Sequence, residues 1–237
     1  MQKTVFITGN SSGLGYALSE QYLSDGWQVY GLSRRGCQGL GHGLHDIKCD
    51  LLNLKSIEPA LSDLLSGLSQ LDVVYLNAGF LGKLNKITDI SHEQFAQVMN
   101  INTWANKVIL DWLLTGNIQI KQIIAISTGT GVSTSKGWGA YSLSKLALNK
   151  LLTLYADEFP DTHFTALAPG LVDTAMQAYL CDENRVSVDD FPSIQKMRDA
   201  KETNNMPSAQ DAAHAIINAV PRLMEIPSGS YTDMRNL

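Results

Sequence analysis

The chain has 237 residues, of which 44% are hydrophobic and 17% are charged, and its formal net charge is −5. These proportions suit one folded α/β domain with an apolar core and exclude a disordered chain. A mildly acidic chain with scattered lysines and arginines argues against a nucleic-acid or membrane partner, since both require clustered positive charge or a long apolar span.

Short apolar runs alternate along the chain with longer segments of helical periodicity. The runs are almost continuously apolar, which is typical of parallel strands buried on both faces. The predicted strands are Thr4–Thr8, Gln28–Leu32, Ile47–Cys49, Val73–Leu76, Gln122–Ser127 and His163–Ala168. The predicted helices are Gly13–Ser24, Leu54–Leu68, His92–Leu114, Tyr141–Phe159 and Ser208–Val220, the last ending before Pro221.

Two stretches interrupt this alternation. Arg34–Asp46 contains four glycines, which argue against a full helix, so we expect a loop there. Ala175–Pro207 is polar and irregular with isolated apolar residues, and we expect it to be a mobile, substrate-covering segment rather than core. Elsewhere strand and helix alternate, which predicts a doubly wound parallel sheet with three α/β/α layers in a single domain over residues 1–237.

A glycine-rich turn, Gly9-Asn10-Ser11-Ser12-Gly13-Leu14-Gly15, joins the first strand to the first helix. Such a turn directs backbone N–H groups and a helix N-terminus at a phosphate, and small residues let a pyrophosphate approach. The spacing differs from the G-x-G-x-x-G motif, so the position of the turn after the first strand carries the interpretation. Together with the alternating elements, it predicts a Rossmann-like fold that binds a dinucleotide.

Further motifs follow in a defined order, namely Asp50-Leu51, Asn77-Ala78-Gly79, Asn102, Ser127–Lys145, Pro169-Gly170 and Ser228-Gly229. In this order the chain resembles the short-chain dehydrogenase/reductase family over nearly its whole length, and Gly137–Tyr141 resembles the sepiapterin and benzil reductase-like branch. The resemblance implies seven strands in the order 3-2-1-4-5-6-7, with the last near Gly229–Asp233. It also implies a homodimer or homotetramer formed through His92–Leu114 and Tyr141–Phe159.

The resemblance assigns cofactor contacts to the ends of successive strands. Asp50 is expected to accept from the adenine amino group and Leu51 to contribute its backbone, although Asp50 could instead simply begin the next helix. Asn77-Ala78-Gly79 is expected beside the adenosine ribose. The contacts expected near the nicotinamide, its carboxamide or the phosphates are Pro169, Gly170, Val172 and Thr174.

The residues after the second strand, Ser33-Arg34-Arg35, contain no acid. An acidic side chain there would bond the ribose 2′-OH of NAD and repel a 2′-phosphate, whereas a guanidinium suits a phosphate. We therefore predict NADP(H) as cofactor, with Arg34 as the main 2′-phosphate contact and Ser33 and Arg35 in support. The alternative is a pair of solvated surface arginines.

Tyr141 and Lys145 are four residues apart on one predicted helix, so they share a face. A nearby ammonium and an oxidised nicotinamide would lower the tyrosine pKa from its usual value near 10 and make Tyr141 a general acid for ketone reduction. The resemblance also gives Lys145 contacts with the nicotinamide ribose. Because Tyr-x3-Lys is common by chance, this assignment depends on the position of the pair after the fifth strand.

Two more catalytic positions follow from the resemblance. The usual serine, thirteen residues before the tyrosine, is here Thr128, with Ser127 as the alternative if the loop is shifted by one residue. Either hydroxyl could donate to a substrate carbonyl. Asn102 is expected to hold a water that connects Lys145 to solvent, and a plain surface position on the helix is its alternative.

These expectations describe an NADPH-dependent reductase of a small ketone, diketone or aldehyde. Two alternatives stay open: an NADP(H)-binding sensor or scaffold without chemistry, and an NAD-linked alcohol dehydrogenase. The three cysteines and five histidines form no zinc or redox pattern, so we expect no metal. The residues from Met1 onward lack the pattern of a secretory signal, so we expect a cytoplasmic protein.

Overall fold

The computed structural model describes residues 2–129, 135–203 and 205–237. Seven strands form one parallel sheet in the order β3-β2-β1-β4-β5-β6-β7. They are β1 Thr4–Thr8, β2 Gln28–Ser33, β3 Leu44–Lys48, β4 Gln70–Leu76, β5 Gln119–Ile126, β6 His163–Ala168 and β7 Ser230–Asp233. The predicted fold class and strand order are confirmed.

Eight α-helices lie among the described residues. They are α1 Gly13–Ser24, α2 Ile57–Leu64, α3 His92–Met99, α4 Ala105–Thr115, α5 Gly139–Glu158, α6 Ala175–Cys181, α7 Ser193–Glu202 and α8 Ala209–Leu223. In the part of the chain that the structure describes, none of them is long and apolar enough to cross a membrane.

Successive side chains of each strand point to opposite faces of the sheet. They form two apolar cores, one on each face. In β1, Phe6 packs into the core that α2, α4 and α5 cover, while Val5 and Ile7 pack into the core that α1 and α8 cover. All three side chains are fully buried. Because both faces are covered, β1 is buried along its whole length, which explains its almost continuously apolar sequence.

The predicted helix His92–Leu114 is not continuous, which corrects the prediction. It begins as expected after Ser91, whose side chain forms a capping box with Gln94. A wider π-helical turn, Asn100–Trp104, then separates α3 from α4. Single π-turns of this kind are often found at functional sites, and this one contains Asn102.

Other predicted boundaries were also wrong. Strands β4 and β5 each begin three residues earlier than predicted, at Gln70 and Gln119. Helix α8 does not end before Pro221 but continues to Leu223, whose side chain is fully buried in the core. Strand β3 begins at Leu44, so it takes the last residues of the predicted loop Arg34–Asp46. Helix α2 is shorter than Leu54–Leu68, because its first turn is a 3₁₀ turn and it ends at Leu64.

The segment Ala175–Pro207 is not irregular as predicted, because it contains α6 and α7. Its scattered apolar residues meet residues from distant parts of the chain in a third apolar cluster. That cluster consists of Leu81, Leu84, Trp138, Leu180, Val186 and Ile194. Contacts so distant in sequence leave no periodic signal, which is why the pattern looked irregular. Asn204, and residues 130–134 of the Ser127–Lys145 motif, lie outside the described residues.

Candidate active site

The carboxyl ends of β1, β2, β4, β5 and β6 border one cavity of about 550 Å³. Ligands of open α/β sheets bind at this edge. The predicted site residues that line the cavity are Gly9, Ser11, Ser12, Gly13, Leu14, Ser33, Arg34, Arg35, Asp50, Leu51, Asn77, Ala78, Gly79, Thr128, Tyr141, Lys145, Pro169, Gly170, Val172 and Thr174. Gly15 and Asn102 are not among its lining residues and lie behind it.

The glycine-rich turn is too tightly packed to carry side chains at two positions. A Cβ on Gly9, whose φ is +73°, would lie 2.9 Å from the Cα of Ala78. A Cβ on Gly15 would lie 2.4 Å from the carbonyl oxygen of Gly9. Gly15 therefore supports the turn by close packing rather than by direct contact with the cavity.

Thr8 ties the turn to the loop after β4. Its Oγ1 accepts from the N–H groups of Asn77 and Ala78, each at 3.0 Å, and the Asn77 Nδ2 donates to the Thr8 carbonyl at 2.9 Å. Thr8 was not among the predicted site residues, although a polar side chain at the end of an apolar strand was a usable signal.

Polar side chains near the end of β2 border the cavity and could bind a ligand. The Ser33 hydroxyl is buried and has no hydrogen-bond partner, and among the described residues the Arg34 side chain has no ion pair or hydrogen bond. Arg35, by contrast, donates to the Ser12 Oγ at 3.0 Å. The Asp50 carboxylate accepts from the backbone N–H of Leu52 at 3.0 Å, so the turn-initiating role is present, while the residue also lines the cavity.

Tyr141 and Lys145 lie in the first turns of α5 and face the cavity together. The Lys145 Nζ is 5.9 Å from the centroid of the Tyr141 ring and donates to the Ile126 carbonyl at 2.7 Å. Burial lowers the pKa of Lys145 to about 8 and raises the pKa of Tyr141 to about 12. The lowering of the Tyr141 pKa that we expect from Lys145 and the oxidised nicotinamide together stays a prediction, because in the protein alone the cause of the shift is burial of the phenol.

The Asn102 side chain is fully buried and heavily hydrogen-bonded. Its Oδ1 accepts from the Phe80 N–H at 2.7 Å, and its Nδ2 donates to the Phe80 carbonyl and to the Ser144 Oγ, each at 2.9 Å. Ser144 in turn donates to the Tyr141 carbonyl at 2.7 Å. The surface-position alternative is excluded, because Asn102 links the loop after β4 to the backbone of the Tyr141 turn.

The two candidate hydroxyls after β5 have different surroundings. The Ser127 Oγ is buried and donates to the Oδ1 of Asn149 on α5 at 2.6 Å. Thr128 is half-buried and borders the cavity. Ser127 also borders the cavity, and its hydroxyl proton is directed at α5, so Thr128 stays the predicted ligand contact and Ser127 its alternative.

The cavity also has an apolar part that was not predicted from the sequence. It is lined by Phe80, Trp138, Leu171, Met176, Leu180 and Met197. The Trp138 ring lies 6.0 Å from the Tyr141 ring between centroids, and its Nε1 donates to the Ser193 Oγ of α7 at 2.9 Å. Asp233 and Arg235, an ion pair at 2.6 Å, also border the cavity. Within the described residues, no group of three or more His, Cys, Asp or Glu side chains could hold a metal ion.

Comparisons with known proteins agree with this geometry. The sequence model described as short chain dehydrogenase matches residues 3–185. A benzil reductase ((S)-benzoin forming) from Bacillus cereus is 29% identical, covering 95% of this chain and 96% of the relative. A benzil reductase from Bacillus subtilis (strain 168) is 28% identical, covering 91% and 92%.

Solved structures share the fold. The short chain dehydrogenase/reductase YIR035C from Saccharomyces cerevisiae superposes with a TM-score of 0.85 at 21% identity, covering 98% of this chain and 96% of the other. The structure of ElxO with NADP bound superposes with a TM-score of 0.80 at 20% identity, covering 99% and 97%.

The family match covers most of the chain, and its motifs meet around one cavity. The similarity to the benzil reductase-like branch, predicted from residues 137–141, extends over nearly the full length of two relatives. The chain belongs to the short-chain dehydrogenase family, and it is an oxidoreductase that acts on a carbonyl or alcohol group of a small molecule with a nicotinamide cofactor.

Proposed function

We propose that this protein is an NADPH-dependent carbonyl reductase in which Tyr141 donates the proton and Lys145 replaces it. The observation that carries the proposal is that Tyr141 and Lys145 border the same cavity as the glycine-rich turn and the Ser33–Arg35 segment. A nicotinamide dinucleotide would supply the hydride when bound, while the protein supplies position and protons.

The residues present fit a dinucleotide. A Cβ would not fit at Gly9 or Gly15, so the turn keeps its backbone open to a pyrophosphate. The residues that would hold the cofactor from adenine to nicotinamide are Gly9, Ser11, Ser12, Gly13, Leu14, Gly15, Ser33, Arg34, Arg35, Asp50, Leu51, Asn77, Ala78, Gly79, Tyr141, Lys145, Pro169, Gly170, Val172 and Thr174.

NADP(H) is the better match than NAD(H). Arg34 has no ion-pair partner within the described residues, and the adjacent Ser33 hydroxyl is buried without a hydrogen bond. Both groups would gain a partner from a 2′-phosphate, and no acidic side chain in Ser33–Arg35 would repel it. NADP is bound in the solved structure of ElxO, which shares this fold. These features disfavour the NAD-linked alcohol dehydrogenase.

The proposed proton transfers follow from the shifted pKa values of Tyr141 and Lys145. With a pKa raised to about 12, Tyr141 is protonated at neutral pH and can donate to the carbonyl oxygen as the carbon accepts hydride. Thr128 would hydrogen-bond the same oxygen while negative charge develops there. Lys145, with a pKa lowered to about 8, exchanges protons near neutral pH and can reprotonate the tyrosinate.

Lys145 needs its own proton supply. A Cβ on Gly79 would lie 3.6 Å from the Lys145 Nζ and 3.7 Å from the Asn102 Oδ1, so both groups face the space beside this glycine. A water there would have two polar partners and would complete the relay, with the Asn102 Oδ1 as one anchor. The intact set of polar groups disfavours a sensor or scaffold without catalysis.

The apolar part of the cavity indicates the substrate class. Phe80 and Trp138 are aromatic, Met176 and Met197 carry thioethers and Leu180 is aliphatic, so these lining residues carry no charge. Such a lining suits flat aryl ketones and diketones, in agreement with the benzil reductases among its relatives. We retain the proposal that the segment 175–207, which contributes three of these residues, is a mobile cover within a single domain.

We also propose that the protein is cytoplasmic and that it forms a homodimer or homotetramer. Trp104 in the π-turn and Leu143, Leu146 and Leu154 on α5 are large apolar side chains exposed to solvent. Exposed apolar groups concentrated on one part of a surface are typical of an interaction face.

The test is to mix the purified protein with NADPH or NADH and a panel of aryl ketones, diketones and aldehydes, and to follow nicotinamide absorbance. We expect consumption of NADPH with aryl diketones or ketones at a higher kcat/KM than with NADH. Tight NADPH binding without consumption would support the sensor instead, and a preference for NADH would support the NAD-linked enzyme.

A further inference from the structure

Asn149 lies on α5 one helical turn after Lys145. It follows Tyr141 and Lys145 at four-residue spacing, so the three side chains lie on one face of the helix. Its Oδ1 accepts from the Ser127 Oγ at 2.6 Å, and both residues are buried. Its Nδ2 is buried and has no hydrogen-bond partner among the residues that the structure describes.

Stability alone gives no reason for an amide at this position. The unpartnered donor offsets what the hydrogen bond with Ser127 contributes, whereas a pair of apolar side chains of similar size would carry no such penalty. The polar pair of Asn149 and Ser127 therefore requires another explanation, and its position beside Lys145 supplies one.

The peptide unit between Ile126 and Ser127 connects this pair to Lys145. Its carbonyl accepts from the Lys145 Nζ at 2.7 Å, and its N–H donates to the Leu167 carbonyl of β6 at 2.7 Å. Because a peptide unit is planar, its two hydrogen bonds move together. The bond from Ser127 to Asn149 fixes the next atoms of the chain against α5 and so limits rotation of this unit.

We propose that Asn149 is a positioning residue for Lys145: through Ser127 it orients the Ile126 carbonyl that anchors the lysine ammonium. The inference rests on the proposed function, because Lys145 is taken there as the relay partner of Tyr141. Asn149 touches neither substrate nor cofactor in this role, and it acts through the end of β5.

Four variants separate positioning from general stability. Asn149→Leu removes the acceptor, Ser127→Ala removes the donor, and Asn149→Asp keeps an acceptor for Ser127. Tyr155→Phe is the matched control, because it removes the hydrogen bond that Tyr155 donates to Asp111 from the same helix, far from Ile126.

Tyr141 is the ionisable group that lies against Lys145, while Gly79 and Asn102 face it from the other side without titrating.

We expect Asn149→Leu and Ser127→Ala each to lower kcat about tenfold, with the carbonyl KM within about twofold of wild type. The double variant should lose little more, since both changes break one hydrogen bond. The basic limb of the kcat profile should move to lower pH in Asn149→Leu and to higher pH in Asn149→Asp, whose carboxylate favours the ammonium. Tyr155→Phe should keep wild-type kcat.

The inference is overturned if both single variants keep wild-type kcat and pH profile, or if Tyr155→Phe loses as much kcat at an equal loss of melting temperature. If Asn149→Leu does not fold, the kcat and pH profile of Ser127→Ala and Asn149→Asp test the inference instead. A wild-type protein that reduces no carbonyl would instead refute the proposed function. In that case ¹⁵N NMR of the Lys145 ammonium still tests Asn149, since its titration should shift in Asn149→Leu and be unchanged in Tyr155→Phe.

Discussion

The Lys145 ammonium donates to the Ile126 carbonyl at 2.7 Å and is thereby anchored on the end of β5 rather than on an acidic side chain. In the described part of the chain, the structure gives Lys145 no ion pair. Burial without a counter-charge lowers the pKa of Lys145 to about 8. The lysine can therefore change its protonation state close to neutral pH, which a relay requires.

Lys145→Met should change stability in a pH-dependent manner. Below about pH 8 the wild-type protein must bury a charge, whereas between the folded pKa near 8 and the ordinary lysine pKa of 10.5 the native state has released a proton that the unfolded chain retains. Wild type should therefore gain stability relative to Lys145→Met as pH rises through that window. Urea denaturation of both proteins at pH 7 and pH 10 measures this, and a difference that does not vary with pH would contradict it.

Gly15→Ala should disrupt the turn, because the new methyl group would lie 2.4 Å from the Gly9 carbonyl oxygen. We expect a loss of about 1–3 kcal/mol of folding stability and a matching loss of NADPH affinity. Gly41→Ala is the control, since nothing lies within 4 Å of a Cβ there. Thermal melting and NADPH titration of both variants check this, and equal behaviour of the two would refute the packing role of Gly15.

Arg34 and Arg35 should differ as cofactor contacts. Arg34 is unpaired within the described residues, while Arg35 already donates to Ser12. A charged hydrogen bond contributes about 1.5–3 kcal/mol, so Arg34→Ala should raise the KM for NADPH about 10- to 100-fold and change the KM for NADH little. Arg35→Ala should have a smaller effect on the KM for NADPH. Steady-state kinetics with both cofactors test this prediction. Equal changes in the KM for NADPH and the KM for NADH would exclude the phosphate contact.

Thr128 should matter through its hydroxyl group. Thr128→Ser keeps the donor and should retain most of kcat, whereas Thr128→Val keeps the shape and should lower kcat about 100-fold. Ser127→Ala should be the milder change, since the Ser127 hydroxyl bonds Asn149 rather than a ligand. If Ser127→Ala lowered kcat more than Thr128→Val, the two roles would be exchanged.

Sequence patterns predicted the parts of the molecule that depend on local order. The parallel sheet followed from apolar runs such as Thr4–Thr8, and the tight turn into α1 followed from Gly9, Gly13 and Gly15 immediately after one of them. Such features arise from neighbouring residues, so periodicity and turn chemistry reveal them.

Features that depend on distant contacts could not be predicted in the same way. The π-turn at Asn100–Trp104 is accompanied by hydrogen bonds from Asn102 to Phe80 and Ser144, which are far away in sequence. The raised pKa of Tyr141 depends on desolvation by the folded chain, which brings distant segments around the phenol. Trp138 and Ser193 meet only because α7 folds over the cavity.

The central claim is that Tyr141 donates the proton in carbonyl reduction, and single-turnover hydride transfer by Tyr141→Phe tests it most directly. The phenylalanine keeps the ring and removes the hydroxyl, so NADPH binding should stay within about threefold of wild type while the hydride-transfer rate falls at least about 100-fold. A Tyr141→Phe protein that binds NADPH and transfers hydride within about threefold of the wild-type rate would contradict the assignment of Tyr141 as the proton donor.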